Sequence, residues 1–301
     1  MGPVQNVQPI VSLEYFPPKG ISSERALITG AHALRRFNPA YQTITFGAGG
    51  SASEGSLEWS TQLQALNDVP TVSHLALCHF DKASLIEFAN KLWESGIKRL
   101  VVLRGDVAEG QEDGQGDGLA GYSSVADAIA GLKAQHPFDI SVAAYPEIHP
   151  KANSLNADLD VLLAKQDAGA DRAITQYFFN NEDFYRFRDL ATAHGFNKPI
   201  VPGIIPITNY TKIKAFSEKC AATVPAHFEE LFAAAGDDKS RQSDVARMII
   251  EEQVRDLAKH GVDALHIYTL NRIDLTADAI RAFYAEFRSN DVPDFLPALA
   301  G

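Results

Sequence analysis

The chain has 301 residues, of which 46% are hydrophobic and 22% are charged. This composition is ordinary for a globular protein, and a chain of this length can fold as one large domain or two smaller ones. Its net charge of −11 argues against a general affinity for nucleic acid or for anionic lipid. The apolar runs are far shorter than the about 20 residues that a membrane-spanning helix needs.

Eight short apolar or β-branched runs recur along the chain, and each is followed by a stretch with the period of an α-helix. The runs cover residues 10–14, 42–46, 72–76, 99–103, 139–144, 172–176, 199–203 and 264–268. Several are apolar on both faces, which is typical of parallel strands covered by helices. Helical periodicity is clearest over residues 84–93, 159–168 and 184–193, and Gly169 is a stop signal after the second of these.

The repeating unit is about 30 residues long, the size of one βα unit in a barrel of about 250 residues. An open, doubly wound sheet would also alternate strands and helices. Eight units without a break favour a single (β/α)8 TIM barrel, of α/β class, as one catalytic domain over residues 1–301. Residues 223–261 predict extra helices before the last strand, including a long one over 243–260, and residues 1–7 are expected to be a flexible N-terminus.

Cys78 and Cys220 lie far apart in sequence, with no CxxC partner. They are expected to be free thiols in a reducing compartment. The N-terminal residues do not have the pattern of a secretory signal, so a cytoplasmic location is expected. No HExxH motif or comparable ligand set is present, and no metal is predicted.

Residues capable of chemistry fall at nearly every predicted strand end, where the active site of a TIM barrel forms. They are Glu14, Thr45, His74 (within its strand), Arg104, Asp106, Tyr145, Glu147, His149, Gln176, Tyr268 and Arg272. Because a random placement of polar residues would not produce this distribution, the sequence predicts an enzyme.

Glu14 lies between apolar neighbours in the first strand. An apolar surround would raise the pKa of its carboxyl, so that it could hold and donate a proton near neutral pH. Alternatively, Glu14 is a cap or an ion-pair partner of Arg104. Asp106 is either a simple loop acid or a carboxylate that stabilises a cationic reaction centre. His74 taken alone is typical of a core histidine, and Arg104 of a strand-end ion pair.

Six segments at these strand ends resemble bacterial methylenetetrahydrofolate reductases, which reduce methylenetetrahydrofolate with a flavin. The segments, in chain order, are residues 12–18 (SLEYFPP), 103–106 (LRGD), 139–150 (DISVAAYPEIHP), 167–176 (DAGADRAITQ), 202–206 (PGIIP) and 266–272 (HIYTLNR). Their order and spacing are family-like, and the resemblance covers residues 8–290. It implies a barrel that holds FAD noncovalently, with NADH, or less favourably NADPH, and a folate as alternating substrates in ping-pong kinetics.

The resemblance also implies roles for individual residues. Glu14 matches the general acid, and Asp106 matches the acid beside flavin and pterin. Matches to FAD-binding positions are Thr45, Phe46, Ala48, His74, Arg104, Gly105, Asp106, Tyr122, Ser123, Tyr145, His149, Ala152, Asp158 and Lys165. Matches to substrate-binding positions are Gln176, Lys212, Phe216, Tyr268, Leu270 and Arg272. Relatives associate as dimers or tetramers, so a homo-oligomer is expected.

The chain departs from the family pattern at Val161 and Ala164, where polar or basic residues are common near the FAD diphosphate. Lys212 replaces a common glutamine near the folate, and the Gly/Asp-rich loop 107–121 is longer than in some relatives. Two further hypotheses remain open. One is a flavoprotein of this family that takes electrons from another protein, and the other is a noncatalytic barrel subunit.

Overall fold

A computed structural model of the chain describes residues 8–46, 52–105 and 119–287, except for the side chains of residues 52–54. The N-terminal residues 1–7 lie outside the described residues. So do two predicted site residues, Ala48 and Asp106, and most of the loop 107–121.

Strands and helices alternate through the described part of the chain. Its strands are β1 (Ile10–Tyr15), β2 (Tyr41–Ile44), β3 (Thr71–Ala76), β4 (Arg99–Leu103), β5 (Asp139–Ala144), β6 (Arg172–Thr175), β7 (Ile200–Val201), β8 (Gly203–Ile204) and β9 (Ala264–Tyr268). Its helices are α1 (Ile21–Leu34), α2 (Ala52–Asn67), α3 (Lys82–Glu94), α4 (Val125–Gln135), α5 (Leu155–Asp167), α6 (Asn181–Ala193), α7 (Tyr210–Cys220), α8 (Ala226–Ala235), α9 (Lys239–Lys259) and α10 (Ile273–Ala285).

The strands form one parallel sheet in the order β7-β6-β5-β4-β3-β2-β1-β9-β8. The two ends of this order, β7 and β8, are consecutive in the chain and separated only by Pro202. β7 pairs with β6, and β8 pairs with β9, so this segment closes the sheet into a barrel with helices around it. The predicted (β/α)8 barrel is therefore confirmed.

Some predicted strand boundaries were wrong. The seventh strand was predicted as one run over 199–203, but it is two short strands, because Pro202 has no N–H to donate and each half pairs with a different neighbour. β2 ends at Ile44 and β6 at Thr175, so Phe46 and Gln176 follow their strands instead of lying in them. The expected extra helices before the last strand are α8 and the 21-residue α9.

Alternation along each strand divides the side chains between the helices outside and the barrel interior. In β1, Val11, Leu13 and Tyr15 belong to the core cluster that includes residues of α1. Ser12 and Glu14, on the other face of β1, point into the barrel, where they meet His266. The placement of Glu14 inside the barrel thus follows from a two-residue period.

The N-terminal end of the barrel is filled by apolar side chains and closed by an ion-pair cluster. The apolar layer consists of Tyr41, Val72, Val101, Ile174 and Val201. The carboxylate of Asp139 pairs with the guanidinium groups of Arg99 and Arg172. The other end of the barrel, formed by the C-terminal ends of the strands, is here called the C-terminal rim.

Several helix starts are fixed by side-chain caps in the segment before the helix. Asp81 accepts a hydrogen bond from the Ser84 N–H at 2.8 Å, and Ser124, Ser154 and Asn209 cap α4, α5 and α7 in the same way. Asp238 caps α9, which explains why this helix begins before the predicted 243. In the part of the chain that the structure describes, no helix is long and apolar enough to span a membrane.

Candidate active site

The centre of the C-terminal rim is a buried cluster of Glu14 and two histidines. Oε2 of Glu14 lies 3.2 Å from Nε2 of His74 on β3 and 3.2 Å from Nε2 of His266 on β9. Only 9% of the Glu14 surface is exposed, and the two histidines are buried as well. The barrel brings together residues that are 60 and 252 positions apart in sequence, a contact that local sequence pattern does not encode.

The two histidines reverse the expected titration of Glu14. Burial by itself raises the pKa of this carboxyl, but the charge of His74 and the hydrogen bonds from His266 and His74 together lower it to about 2. The sequence-based expectation of a raised pKa was therefore wrong. Leu13 and Tyr15, the apolar neighbours on which it rested, point out of the barrel and do not surround the carboxyl.

Two hydroxyl groups extend this cluster. The Ser12 hydroxyl lies 2.8 Å from Nδ1 of His266, so the imidazole joins Ser12 to Glu14. Oγ1 of Thr43 lies 3.2 Å from Nε2 of His74. Proton exchange within a chain of groups at these distances is geometrically possible. The sequence analysis gave no role to Ser12 or His266. Their positions could have indicated one, because Ser12 lies two residues from Glu14 and His266 two residues from Tyr268, which puts each pair on the same face of its strand.

Acid unfolding tests the electrostatics of this cluster. The pKa of Glu14 is about 2 in the folded protein, against an ordinary value of 4.5. A carboxyl with a lowered folded pKa contributes stability above its unfolded pKa and loses it as the pH falls through its folded pKa; here the contribution is about 3 kcal/mol. Between pH 4.5 and 2, we expect the free energy of unfolding to fall more steeply in wild type than in Glu14→Gln.

Urea denaturation across this pH range measures the two slopes. Equal slopes in wild type and variant would show that the histidines do not hold the carboxyl ionised.

Tyr268 crosses the rim from β9 to β6. Its hydroxyl donates to the backbone oxygen of Thr175 at 2.6 Å, and burial raises its pKa well above the ordinary value. Gln176 follows Thr175 in the chain, and its side-chain oxygen accepts a hydrogen bond from the Tyr177 N–H at 3.0 Å. Both residues were predicted to contact substrate, and the structure places them on adjacent parts of the rim.

The predicted FAD-binding residues that the structure describes lie along one arc of the rim, after β2 to β5. Phe46 stacks on His79 with ring centroids 5.1 Å apart. The Tyr145 and His149 rings meet edge to face with centroids 4.4 Å apart. The carboxylate of Asp158 accepts a hydrogen bond from the backbone N–H of His149 at 2.9 Å. The backbone N–H of Thr45 donates to the backbone oxygen of Tyr15, and the backbone N–H of Ala152 donates to the backbone oxygen of His149.

Lys165 places a cation behind this arc. Its side chain is partly exposed, but its ammonium end is enclosed by protein and donates to the Ala143 oxygen at 3.1 Å. Burial lowers the pKa of this ammonium to about 8, against the opposing effect of Asp158. A buried cation with one backbone acceptor is suited to an anionic ligand group.

Gly105 leaves no room for a side chain beside the same arc. Its φ is +86°, a left-handed conformation that glycine adopts without strain, and a Cβ there would overlap Sγ of Cys78 and lie 2.9 Å from Cβ of Ala76. Arg104 precedes it with an exposed side chain, and its backbone oxygen accepts from the Cys78 N–H. Packing against Ala76 and Cys78 therefore requires glycine at this position.

Two other predicted FAD contacts have structural partners. Tyr122 is buried against Gly131 of α4, and the ammonium of Lys82 lies 4.5 Å from its ring centroid. Ser123 donates through its N–H and its hydroxyl to the carboxylate of Asp127. These contacts explain both residues without a ligand, and their contact with a cofactor stays a prediction.

The predicted folate contacts on the opposite arc are more exposed. Phe216 on α7 is 49% exposed and stacks on Tyr177 with centroids 6.0 Å apart. Lys212 lies one turn before it with an exposed side chain. Leu270, with a φ of +49°, and Arg272 follow β9. An exposed aromatic ring one helical turn from a cation suits a flat ligand that carries a negative charge.

Barrel and rim together define a class of protein: a TIM-barrel enzyme with a carboxylate–histidine centre. The chain matches the family described as Methylenetetrahydrofolate reductase over residues 3–283. It is 37% identical over 266 residues to a 5,10-methylenetetrahydrofolate reductase of Pectobacterium carotovorum, covering 88% of this chain and 87% of that protein. Identity to the Escherichia coli 5,10-methylenetetrahydrofolate reductase is 35% over 266 residues, or 88% of each chain. The chain belongs to the methylenetetrahydrofolate reductase family, and it is an oxidoreductase.

A solved structure gives independent support for the fold. A Clostridium thermocellum protein described as binding two copies of 5-methyl-5,6,7,8-tetrahydrofolic acid aligns with a TM-score of 0.57 at 14% identity, covering 94% of this chain and 96% of that one. At this identity the likeness concerns the fold alone.

Proposed function

We propose that this protein reduces 5,10-methylenetetrahydrofolate to 5-methyltetrahydrofolate with NAD(P)H, NADH being preferred, through bound FAD in ping-pong fashion. The observation that carries the proposal is the buried Glu14–His74–His266 cluster at the rim of a barrel of this family. The whole barrel would act as one catalytic domain, in the cytoplasm, and as a homo-oligomer.

The residues of the β2–β5 arc fit FAD. The Phe46 and Tyr145 rings offer apolar faces, and Lys165 supplies a buried cation for the diphosphate. When bound, FAD would accept a hydride from the nicotinamide and pass it to the folate. Val161 is 52% exposed on α5, so the apolar replacement there changes the surface but leaves Lys165 and Asp158 in place.

Glu14 would move the proton that the folate needs. Opening the methylene bridge requires a proton on the leaving nitrogen and leaves an iminium that takes the hydride. At neutral pH Glu14 is a carboxylate because its pKa is about 2, so the proton has to be relayed to it through a neighbouring group. His266, which lies between Glu14 and Ser12, is positioned to relay that proton.

The folate would lie across the rim between Glu14 and Phe216. The exposed Phe216 ring can pack on the flat part of the substrate, and Gln176 and Tyr268 border the same space. Arg272 offers a forked donor for the glutamate carboxylate. Asp106, outside the described residues, is proposed to stabilise the cationic intermediate.

Turnover tests the proposed function. We expect the purified protein to contain or take up FAD, and to form 5-methyltetrahydrofolate, identified chromatographically, from the methylene substrate with NADH and more slowly with NADPH. A protein that takes up no FAD, or that forms no product with either nicotinamide, would contradict the proposal. Turnover only with a reduced protein donor would favour the alternative flavoprotein.

Lys165→Met tests the FAD part of the proposal. Loss of a charge-assisted hydrogen bond costs about 1.5–3 kcal/mol, so we expect FAD to bind about 10- to 100-fold more weakly, measured by titrating the apoprotein with FAD. Lys91→Met makes the same change on α3, where the ammonium pairs with Glu87 on the surface, and should leave FAD affinity unchanged. Equal affinity in both variants would remove Lys165 from the FAD site.

A further inference from the structure

The turn that follows β9, residues 269–272, has a strained backbone. Leu270 and Asn271 have φ values of +49° and +54°, a left-handed conformation that residues with a side chain disfavour. Five other described non-glycine residues have a positive φ, but no two of them are consecutive. Because such strain persists only where the surroundings hold it, the contacts of this turn indicate its role.

The side chain of Asn271 bonds both backbone groups of Phe16, two residues after Glu14. Its nitrogen donates to the Phe16 oxygen at 3.1 Å, and its oxygen accepts from the Phe16 N–H at 3.0 Å. A side-chain amide offers a donor and an acceptor side by side, whereas an ionised carboxylate only accepts and a hydrocarbon side chain does neither. Aspartate or leucine at this position could therefore not make both bonds.

Thr269, which is fully buried, makes a second attachment to the same strand end. Its hydroxyl donates to the Glu14 backbone oxygen at 2.6 Å and accepts from the Asn271 N–H at 3.1 Å. Its own N–H donates to the Glu14 oxygen at 3.1 Å. The backbone of Glu14 and of Phe16 is thus fixed to this turn on both sides of Tyr15.

The same turn carries two of the predicted folate contacts, Leu270 and Arg272. We infer that Asn271 is a positioning residue, which sets the place of the folate relative to the carboxyl of Glu14. The inference rests on the proposed function. Only the folate half-reaction needs this alignment, because reduction of the flavin by the nicotinamide takes no proton from Glu14.

Asn271→Gly tests the inference, because glycine adopts the left-handed φ without strain and removes only the side-chain bonds. We expect reoxidation of the reduced flavin at saturating methylenetetrahydrofolate to slow by about 10- to 100-fold, the effect of a small misplacement of reacting groups. Reduction of the flavin by NADH should stay within about threefold of wild type. Anaerobic stopped-flow absorbance measures both rates, and urea denaturation shows whether the variant is folded.

Asn38→Gly is the matched control. Asn38 has a φ of +51° and lies just before β2, at the N-terminal end of the barrel, so this variant should keep both rates. Thr269→Val removes the hydroxyl attachment with a side chain of nearly the same shape, and it should slow the folate half-reaction as Asn271→Gly does. Thr269→Ser keeps the hydroxyl and should retain the wild-type rates.

The outcomes separate this inference from the proposed function. Wild-type reoxidation by Asn271→Gly would overturn the inference alone. A change only in the folate concentration needed for half-saturation would also overturn it, since Asn271 would then serve binding without aligning the acid. Equal slowing of both half-reactions would do the same, because a general loss of structure has that effect. No reoxidation of the wild-type flavin by the folate would overturn the proposed function and this inference together.

Discussion

Glu14→Gln is expected to leave reduction of the flavin by NADH within about threefold of wild type, while reoxidation by methylenetetrahydrofolate slows by about 10²- to 10⁴-fold, the usual contribution of a general acid. The amide keeps the size of the carboxyl but cannot carry a proton between His266 and the folate. Hydride transfer from the nicotinamide needs no proton at this position. The two half-reactions are measured separately by anaerobic stopped-flow absorbance.

Glu147→Gln is the matched control for this variant. Glu147 also follows a strand at the C-terminal rim, and its carboxylate accepts the Thr223 N–H at 3.0 Å. Among the described residues it has no hydrogen bond or ion pair with His74 or His266. We expect both half-reactions of Glu147→Gln to match wild type. If both half-reactions of Glu14→Gln slowed equally, Glu14 would be a structural partner of the histidines and not the acid.

Gly203→Ala is expected to destabilise the barrel by about 3 kcal/mol or more, which is at the upper end for overpacking of a tight site. A Cβ at Gly203 would overlap the backbone oxygen of Thr175 and lie 2.5 Å from Cε2 of Tyr268. The Thr175 oxygen belongs to β6 and cannot move without breaking the sheet where β8 closes it. The same oxygen accepts the Tyr268 hydroxyl, so the substitution would also displace a rim residue.

Gly55→Ala makes the same chemical change at an open position, and we expect it to stabilise the protein. Gly55 lies in α2, and a Cβ there meets none of the described atoms within 4 Å. Alanine in an open helical position should stabilise the protein by about 0.5–1 kcal/mol. Urea denaturation measures both variants, and a Gly203→Ala protein as stable as wild type would mean that the barrel seam is not closely packed.

Most of the fold was predictable because its signals are local. Parallel strands buried on both faces and helices of regular period appear directly in the sequence, and eight repeats define the barrel. The split at Pro202 was not predicted, although proline itself is a local signal. Its effect depends on which strands lie on either side of residues 200–204, and that is a property of the closed sheet.

The sequence predicted which residues form the site, but it did not predict the pKa of Glu14. Strand-end position identified Glu14, Gln176, Tyr268 and Arg272 as rim residues, because a barrel gathers its strand ends. The pKa of Glu14 depends on His74 and His266, which only the barrel brings to it. Sequence neighbours of a strand residue lie on the opposite face of the sheet, so they are a poor guide to the environment of its side chain.

A sequential anaerobic titration of the wild-type protein tests whether its FAD passes a hydride from NADH to the folate. FAD-loaded protein is first reduced with one equivalent of NADH, and one equivalent of 5,10-methylenetetrahydrofolate is then added while the flavin absorbance is followed. We expect bleaching by NADH, full return of the oxidised spectrum with the folate, and one equivalent of 5-methyltetrahydrofolate. A flavin that NADH bleaches but that methylenetetrahydrofolate fails to reoxidise would contradict the proposed function.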